Sequence, residues 1–170
     1  MPSRVKLNLP KSLWNTQMTM RLAQDVLASI KLRTSKGLDA NGKKFKPPYS
    51  TNPIYISKRG ARLKPKGGRP SRTGNSIYYE GGYQQYKHES RRRGSSSDSA
   101  EIDLVLSGNM MNNLIIKEAT KDHFVIGLTE NAQYGYSVNQ TREFLGLSPS
   151  DIDILMKAAE SELRKRLGGR

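Results

Sequence analysis

The sequence predicts an α+β fold in which two long helices, one N-terminal and one C-terminal, pack on a small antiparallel sheet. Three observations support this prediction. Apolar residues recur at helical spacing between positions 22 and 30, and two β-rich runs flank a short polar turn at residues 120–122. Near the end of the chain, Ser148 and Pro149 open a second amphipathic stretch.

The first predicted helix has its apolar residues on one face and a stop or start signal at each end. Ser12 is suited to cap the free N–H groups of the first turn, and Gly37 is suited to end the helix. The stripe that should face the core comprises Leu22, Ala23, Val26, Leu27 and Ile30.

Residues 114–119 and 123–128 predict a β-hairpin. In the second run Phe124, Ile126 and Leu128 alternate with His123, Val125 and Gly127, so one face should pack on the helices. Upstream, residues 102–106 predict a strand or the entry to the turn at Ser107 and Gly108, and Met110 and Met111 indicate a short helical turn.

The closing helix is predicted from about Pro149 to Leu167. Ser148 suits the cap, Pro149 suits the first helical position, and the charge of Asp151 favours the positive end of the helix. The predicted core stripe comprises Ile152, Leu155, Met156, Ala159 and Leu163.

The net charge of +14 is concentrated in the middle of the chain. Residues 31–93 hold 17 Lys and Arg against three acids, whereas residues 94–170 hold eight against 11. So basic a segment, interrupted by proline and glycine, should bury little apolar surface, and its partner should be acidic. The best extended pieces in it are at residues 54–56 and 76–79.

We therefore predict a single domain with a long insertion. Residues 1–37 supply the N-terminal helix, residues 100–170 supply the hairpin and the C-terminal helix, and residues 38–99 form a basic extended arm.

Several classes of protein have little support in the sequence. There is no cysteine, so disulfides, zinc–thiolate sites and cysteine nucleophiles are excluded. No apolar run is long enough for a membrane span or a signal peptide, and we expect a soluble protein made in the cytoplasm. The two histidines, His88 and His123, are far apart, and Asp151 and Asp153 suit the start of a helix better than a catalytic pair. We expect no enzymatic activity, no cofactor and no metal site.

The second half of the chain resembles the phage virion morphogenesis and tail-completion proteins, which sit where the phage head meets the tail. The resemblance covers roughly residues 100–167. Its parts are the Leu-Ser-Gly-Asn-Met turn at residues 106–110, the hairpin at residues 113–129, a tyrosine-containing strand at residues 134–140, and Arg-Glu-Phe-Leu-Gly at residues 142–146. The chain departs from the family at Val138-Asn139-Gln140, where a histidine or glutamate with glycine is common, and in its long basic middle.

This resemblance implies a structural protein of the head–tail junction that assembles as a homo-oligomeric ring in the virion. Its partners would be further copies of itself and other neck, connector and tail proteins, and packaged DNA would pass through the channel. A sheet edge or residues 134–144 would contact the neighbouring subunit. The interface residues that we expect are Tyr134, Tyr136, Arg142, Phe144 and Leu145, the last two as core or interface anchors.

The basic arm leaves two functions open. Its cations Lys43, Lys44, Lys58, Arg59, Arg91, Arg92 and Arg93 are interleaved with the tyrosines Tyr49, Tyr55, Tyr78, Tyr79, Tyr83 and Tyr86. Cations contact phosphates and tyrosines stack on exposed bases, which favours a nucleic-acid-binding module whose arm folds on DNA. Tyrosine and arginine are equally typical of protein interfaces, and with the resemblance included we favour docking to protein.

Overall fold

The computed structural model describes residues 3–6, 15–60, 64–90 and 102–168. It confirms the α+β class, with a 20-residue and a 19-residue helix beside an antiparallel sheet. In chain order the elements are β1 (Ser3–Lys6), α1 (Thr16–Ser35), β2 (Ile54–Ser57), β3 (Arg69–Pro70), β4 (Ser76–Tyr79), α2 (Gly82–Ser90), α3 (Asn109–Asn112), β5 (Leu114–Ala119), β6 (His123–Leu128), α4 (Tyr134–Thr141) and α5 (Pro149–Leu167).

The main sheet has the strand order β1-β6-β5, with all neighbours antiparallel. The predicted hairpin is confirmed as β5 and β6, and the register shifts between Ile116 and Glu118. Phe124, Ile126 and Leu128 are buried, as the alternation predicts, because this face packs on α1. Strand β1, which pairs with β6, was not predicted.

Helix α1 starts later than the sequence predicts. Asn15 is the cap, and its side-chain oxygen accepts a hydrogen bond from the Met18 N–H at 3.0 Å. Ser12, the predicted cap, lies outside the described residues. Gly37 follows the helix with a φ of 76°, a conformation that favours glycine, so the predicted stop is confirmed.

Helix α5 begins where the sequence predicts, with reciprocal capping. The Ser148 hydroxyl accepts from the Asp151 N–H, and the Asp151 carboxylate accepts from the Ser148 N–H. The predicted stripe is only partly correct, since Leu155 and Ala159 are buried but Ile152 and Met156 are 46% and 55% exposed. Helix α5 packs mainly along α1, so residues on either flank of its narrow contact line stay at the surface.

The described part of the predicted arm contains strands and a helix. The extended pieces predicted at residues 54–56 and 76–79 form β2 and β4, and with β3 they make a second antiparallel sheet of order β2-β4-β3. Ile77, Tyr79 and Tyr86 form a small hydrophobic cluster between this sheet and α2. The tyrosines of this cluster provide apolar surface to bury in a segment whose composition is strongly basic.

Residues 134–140 were expected to form a strand, but they lie in helix α4. The helix approaches the main sheet closely at Gly135, where an added Cβ would lie 2.4 Å from Leu128 Cδ1. The Tyr136 hydroxyl accepts a hydrogen bond from the Leu128 N–H at 3.0 Å. Residues 102–106 form a loop rather than a strand, with Leu104 at a φ of 53°. Among the described helices, none has the length and apolar character needed to cross a bilayer.

Candidate functional site

The segment from Arg142 to Gly146 is buried in its middle and reaches the surface at Glu143. Phe144 and Leu145 are buried in the main core, at 0% and 4% exposure. Asn139 holds the turn that precedes them, because its side-chain oxygen accepts from both of their backbone N–H groups, at 2.9 and 2.7 Å. Asn139 therefore has a structural role at the end of α4.

Arg33, near the end of α1, forms hydrogen bonds with the same segment. Its guanidinium donates to the carbonyl oxygens of Phe144, at 2.8 Å, and Gly146, at 3.1 Å, and it forms a buried ion pair with Asp151. Burial lowers the pKa of Arg33, and the charge of Asp151 partly offsets this effect. Apart from an acid at a helix start, no local pattern in the sequence signals this pair, because the partners are 118 residues apart.

Arg142 joins the core to the basic segment. Its Nη2 atom donates to the carbonyl oxygens of Pro47, at 3.0 Å, and Pro48, at 3.4 Å. Its guanidinium carbon lies 5.3 Å from the centre of the Tyr49 ring, within cation–π range. The Nε atom of Arg142 is buried and has no hydrogen-bond partner among the described residues.

Tyr49 is fixed from its other side by a buried polar network. The Lys87 ammonium donates to the Tyr49 hydroxyl at 2.8 Å, lies 4.3 Å from the ring centre, and also pairs with buried Asp103. Burial, and then the nearby negative charge of Asp103, raises the pKa of Tyr49. The network ties helix α2 and the second sheet to the loop before α3.

An open pocket of about 410 Å³ lies where these groups meet. It has tyrosines on its walls, apolar side chains from the core, and Arg142 at one side. The lining residues are Tyr49, Ser50, Tyr83, Leu104, Leu106, Ser107, Gly108, Asn109, Met110, Tyr134, Val138 and Arg142. We call it the tyrosine pocket.

A second concavity, of about 490 Å³, adjoins the tyrosine pocket through Arg142, which lines both. Three lysines, Lys43, Lys44 and Lys46, give it a cationic wall, and Asp39 and Glu143 also line it. We call it the lysine groove. Asp39 is engaged by the loop itself, because its side-chain oxygen accepts from the backbone N–H groups of Asn41 and Lys43.

The structure thus brings together only part of the predicted interface set. Tyr134 and Arg142 line the tyrosine pocket, and Lys43 and Lys44 line the groove beside it. The remaining predicted residues lie elsewhere: Phe144 and Leu145 in the core, Tyr136 hydrogen-bonded to the sheet, Lys58 and Arg59 exposed after β2, and Arg91, Arg92 and Arg93 outside the described residues.

Nothing in the described part of the chain gathers three or more histidine or acidic side chains in a metal-binding arrangement. His123 is the first residue of β6, next to the hairpin turn, and its ring nitrogens lie 3.0 Å from Asp122 and 3.1 Å from Glu118. Leu104 and Leu106 were missed as site residues, since the walls of a pocket built from a loop and separate helices leave no periodic pattern in a sequence, whereas Tyr83 was among the tyrosines named for the arm.

Fold and site define a class of protein: an α+β domain with a composite pocket in which tyrosines meet a cationic groove. Comparison with known proteins adds no family to this description, since no family model, no curated protein sequence and no solved structure matches the chain.

Proposed function

We propose that this protein is a structural component of the head–tail junction of a phage virion, assembling as a ring and docking to connector and tail proteins through its basic segment. The observation that supports the proposal is that α5 exposes large apolar side chains. Ile152 and Met156, one turn apart on the same flank, are both exposed, and Ile154 is exposed on the opposite flank. Large apolar side chains grouped at a surface are typical of a protein that buries them against a neighbour.

The positions of these side chains fit contact with a further subunit. Along α5, Asp151, Leu155 and Ala159 face α1 and the core, while Ile152 and Met156 are one turn apart on a flank of that line. A neighbouring subunit that covers this flank would extend the apolar contact without disturbing the core. The resemblance to neck proteins covers this helix as well, which supports the same role.

A closed ring needs two different surfaces on each subunit, because its contacts are head to tail. The α5 flank is one candidate, and the edge of the main sheet is the other. Among the described strands β5 pairs only with β6, and Ile115 on it is 39% exposed. An unpaired edge of this kind accepts a strand or a loop from a neighbour.

A DNA-binding module is the second candidate function, and the net charge of +14 favours it. In that role the arm would fold on DNA. Residues 54–60 and 64–90 already form strands, a helix and connecting turns in the unbound chain, so for this part of the arm folding on a target is not required. This observation favours docking of a preformed surface.

Measuring the mass of the purified protein in solution separates the two functions. The measurement is made at two salt concentrations, with and without duplex DNA. A discrete ring, or a monomer that ignores DNA at moderate salt, supports the junction protein. Stoichiometric DNA complexes that weaken steeply with salt, and that are lost when Lys43, Lys58 and Arg59 are replaced by glutamine, would support the DNA-binding module instead.

A further inference from the structure

The tyrosine pocket has an apolar interior with polar groups at its walls. Leu104, Leu106, Met110 and Val138 supply the apolar surface, and Tyr134, 38% exposed, stands at the opening. An interior of this kind accepts a large apolar group and orients it through a few polar contacts.

The tyrosine rings of the pocket do not offer free faces on which a base could stack. One face of Tyr49 is opposed by Lys87, and Arg142 also lies over the ring, at 4.3 and 5.3 Å from its centre. Tyr83 is in contact with Tyr49 at 5.3 Å and with Tyr86 at 5.8 Å between ring centres. Because base recognition in single strands depends on free aromatic faces, these rings suit an inserted side chain better than a nucleobase.

The charge of the lysine groove indicates which residues of a ligand would lie next to the side chain inserted in the tyrosine pocket. Lys43, Lys44, Lys46 and Arg142 outnumber Asp39 and Glu143 around it. A ligand that spans both cavities therefore needs acidic groups next to its apolar anchor.

We propose that the tyrosine pocket and the lysine groove form one docking site for an extended acidic segment of a partner protein, which inserts one large apolar side chain into the pocket. The inference rests on the proposed docking role and specifies the chemistry of the partner. Arg142, shared by both cavities, contacts the segment between its anchor and its acidic residues.

A displayed library of random 12-residue peptides, selected against the full-length protein, tests the proposal. We expect the enriched peptides to share a Phe, Leu, Ile or Trp close to Asp or Glu. Binding of the best peptide, measured by fluorescence polarisation, should weaken about tenfold or more with Tyr134→Ala and with Lys43→Glu, since each removes a contact at one of the two cavities.

Matched variants away from the site provide the control. Tyr55→Ala removes an exposed tyrosine from β2, and Lys58→Glu reverses an exposed charge after the same strand. Both should bind the selected peptide as the wild type does. Thermal unfolding of all four variants confirms that they fold.

Three results would overturn the proposal: no enriched peptide, enriched peptides without an acidic residue, or equal loss of binding in the site and control variants. Displacement of the peptide by oligodeoxythymidylate that also depends on Tyr134 would assign the pocket to nucleic acid and overturn it as well. Each of these outcomes is independent of whether the protein is found in the neck of a virion.

Discussion

Asp151 has two roles at the start of α5, since it caps the helix with Ser148 and pairs with Arg33. A buried ion pair is costly to break, because the remaining charge stays desolvated and uncompensated. We predict that Arg33→Met lowers the free energy of unfolding by about 3–5 kcal/mol, as it also removes the donors to the Phe144 and Gly146 carbonyls. Denaturant titration measures this loss.

Arg21→Met is the matched control on the same helix. Arg21 pairs with Glu162 at 3.2 Å, but its side chain is 54% exposed, so the pair is screened by water and its loss should change stability little. Equal effects of the two substitutions would contradict the role assigned to Arg33.

Phe144 is the largest side chain in the segment between α4 and α5, and it is fully buried. We predict that Phe144→Ala destabilises the fold by about 3–5 kcal/mol, because it leaves a cavity that neighbouring helices cannot fill. The melting temperature and denaturant midpoint check this value. A variant with wild-type melting and wild-type assembly would show that Phe144 is neither a core nor an interface anchor.

At the scale of elements, the second sheet and α2 depend on buried tyrosines. Burial raises the pKa of Tyr49, Tyr79, Tyr83 and Tyr86 above the ordinary value of about 10. A tyrosine whose pKa is higher in the folded than in the unfolded protein stabilises the fold fully at pH values below its unfolded pKa. This contribution to stability is lost as the pH rises through the pKa of the folded state. We therefore predict that the protein loses stability above about pH 10.

Tyrosinate absorbance and circular dichroism, followed together from pH 9 to pH 12, test this prediction. Tyr79 and Tyr86, which are 0% and 5% exposed, should ionise only as the structure unfolds, and Tyr83→Phe should reduce the alkaline loss because it removes a group whose pKa folding raises. A free energy of unfolding that stays constant across the range would contradict the prediction.

Self-association should depend on the exposed apolar side chains of helix α5. Ile152→Glu combined with Met156→Glu should abolish self-association while leaving the melting temperature near the wild-type value, since both side chains are exposed in the single chain. Lys157→Glu makes the same total change in charge at a third exposed position of the helix and should assemble normally. Analytical ultracentrifugation distinguishes the variants, and association that survives the double substitution would assign the ring contact to another surface.

The elements that could be predicted are those whose signals are local. The hairpin, the Ser148 cap and the Gly37 stop each follow from a few adjacent residues, and the structure confirms them. Helix α4 was mistaken for a strand because the resemblance places a tyrosine-containing strand at these residues, whereas in the structure they form a helix that fits against Leu128 at Gly135. Ile152 and Met156 were placed in the core because periodicity gives the apolar face of a helix but not the width of its contact.

The site was less predictable than the fold. Arg142 and Tyr134 were expected at an interface, and the structure adds their neighbours from distant parts of the chain, namely Tyr49, Tyr83 and Leu104. The ion pair of Lys87 with Asp103 was not foreseen, since a lysine in a basic segment gives no sign of being buried. Contacts between residues far apart in sequence depend on packing and leave no local pattern.

At the scale of the whole molecule, polar contacts join its two hydrophobic clusters. The main core lies among α1, α5 and the main sheet, and the smaller cluster lies between α2 and the second sheet. Lys87, Asp103, Tyr49 and Arg142 connect the two parts at the tyrosine pocket. The basic segment is thereby held in a defined position, which is what a docking surface in a larger assembly requires.

The role that we propose, joining phage heads to tails, can be tested by electron microscopy of particles made after the gene is deleted from the genome that encodes it. The account predicts filled heads and finished tails that stay separate, with joining restored when purified wild-type protein is added. Complete, infectious particles in the absence of the protein would contradict it.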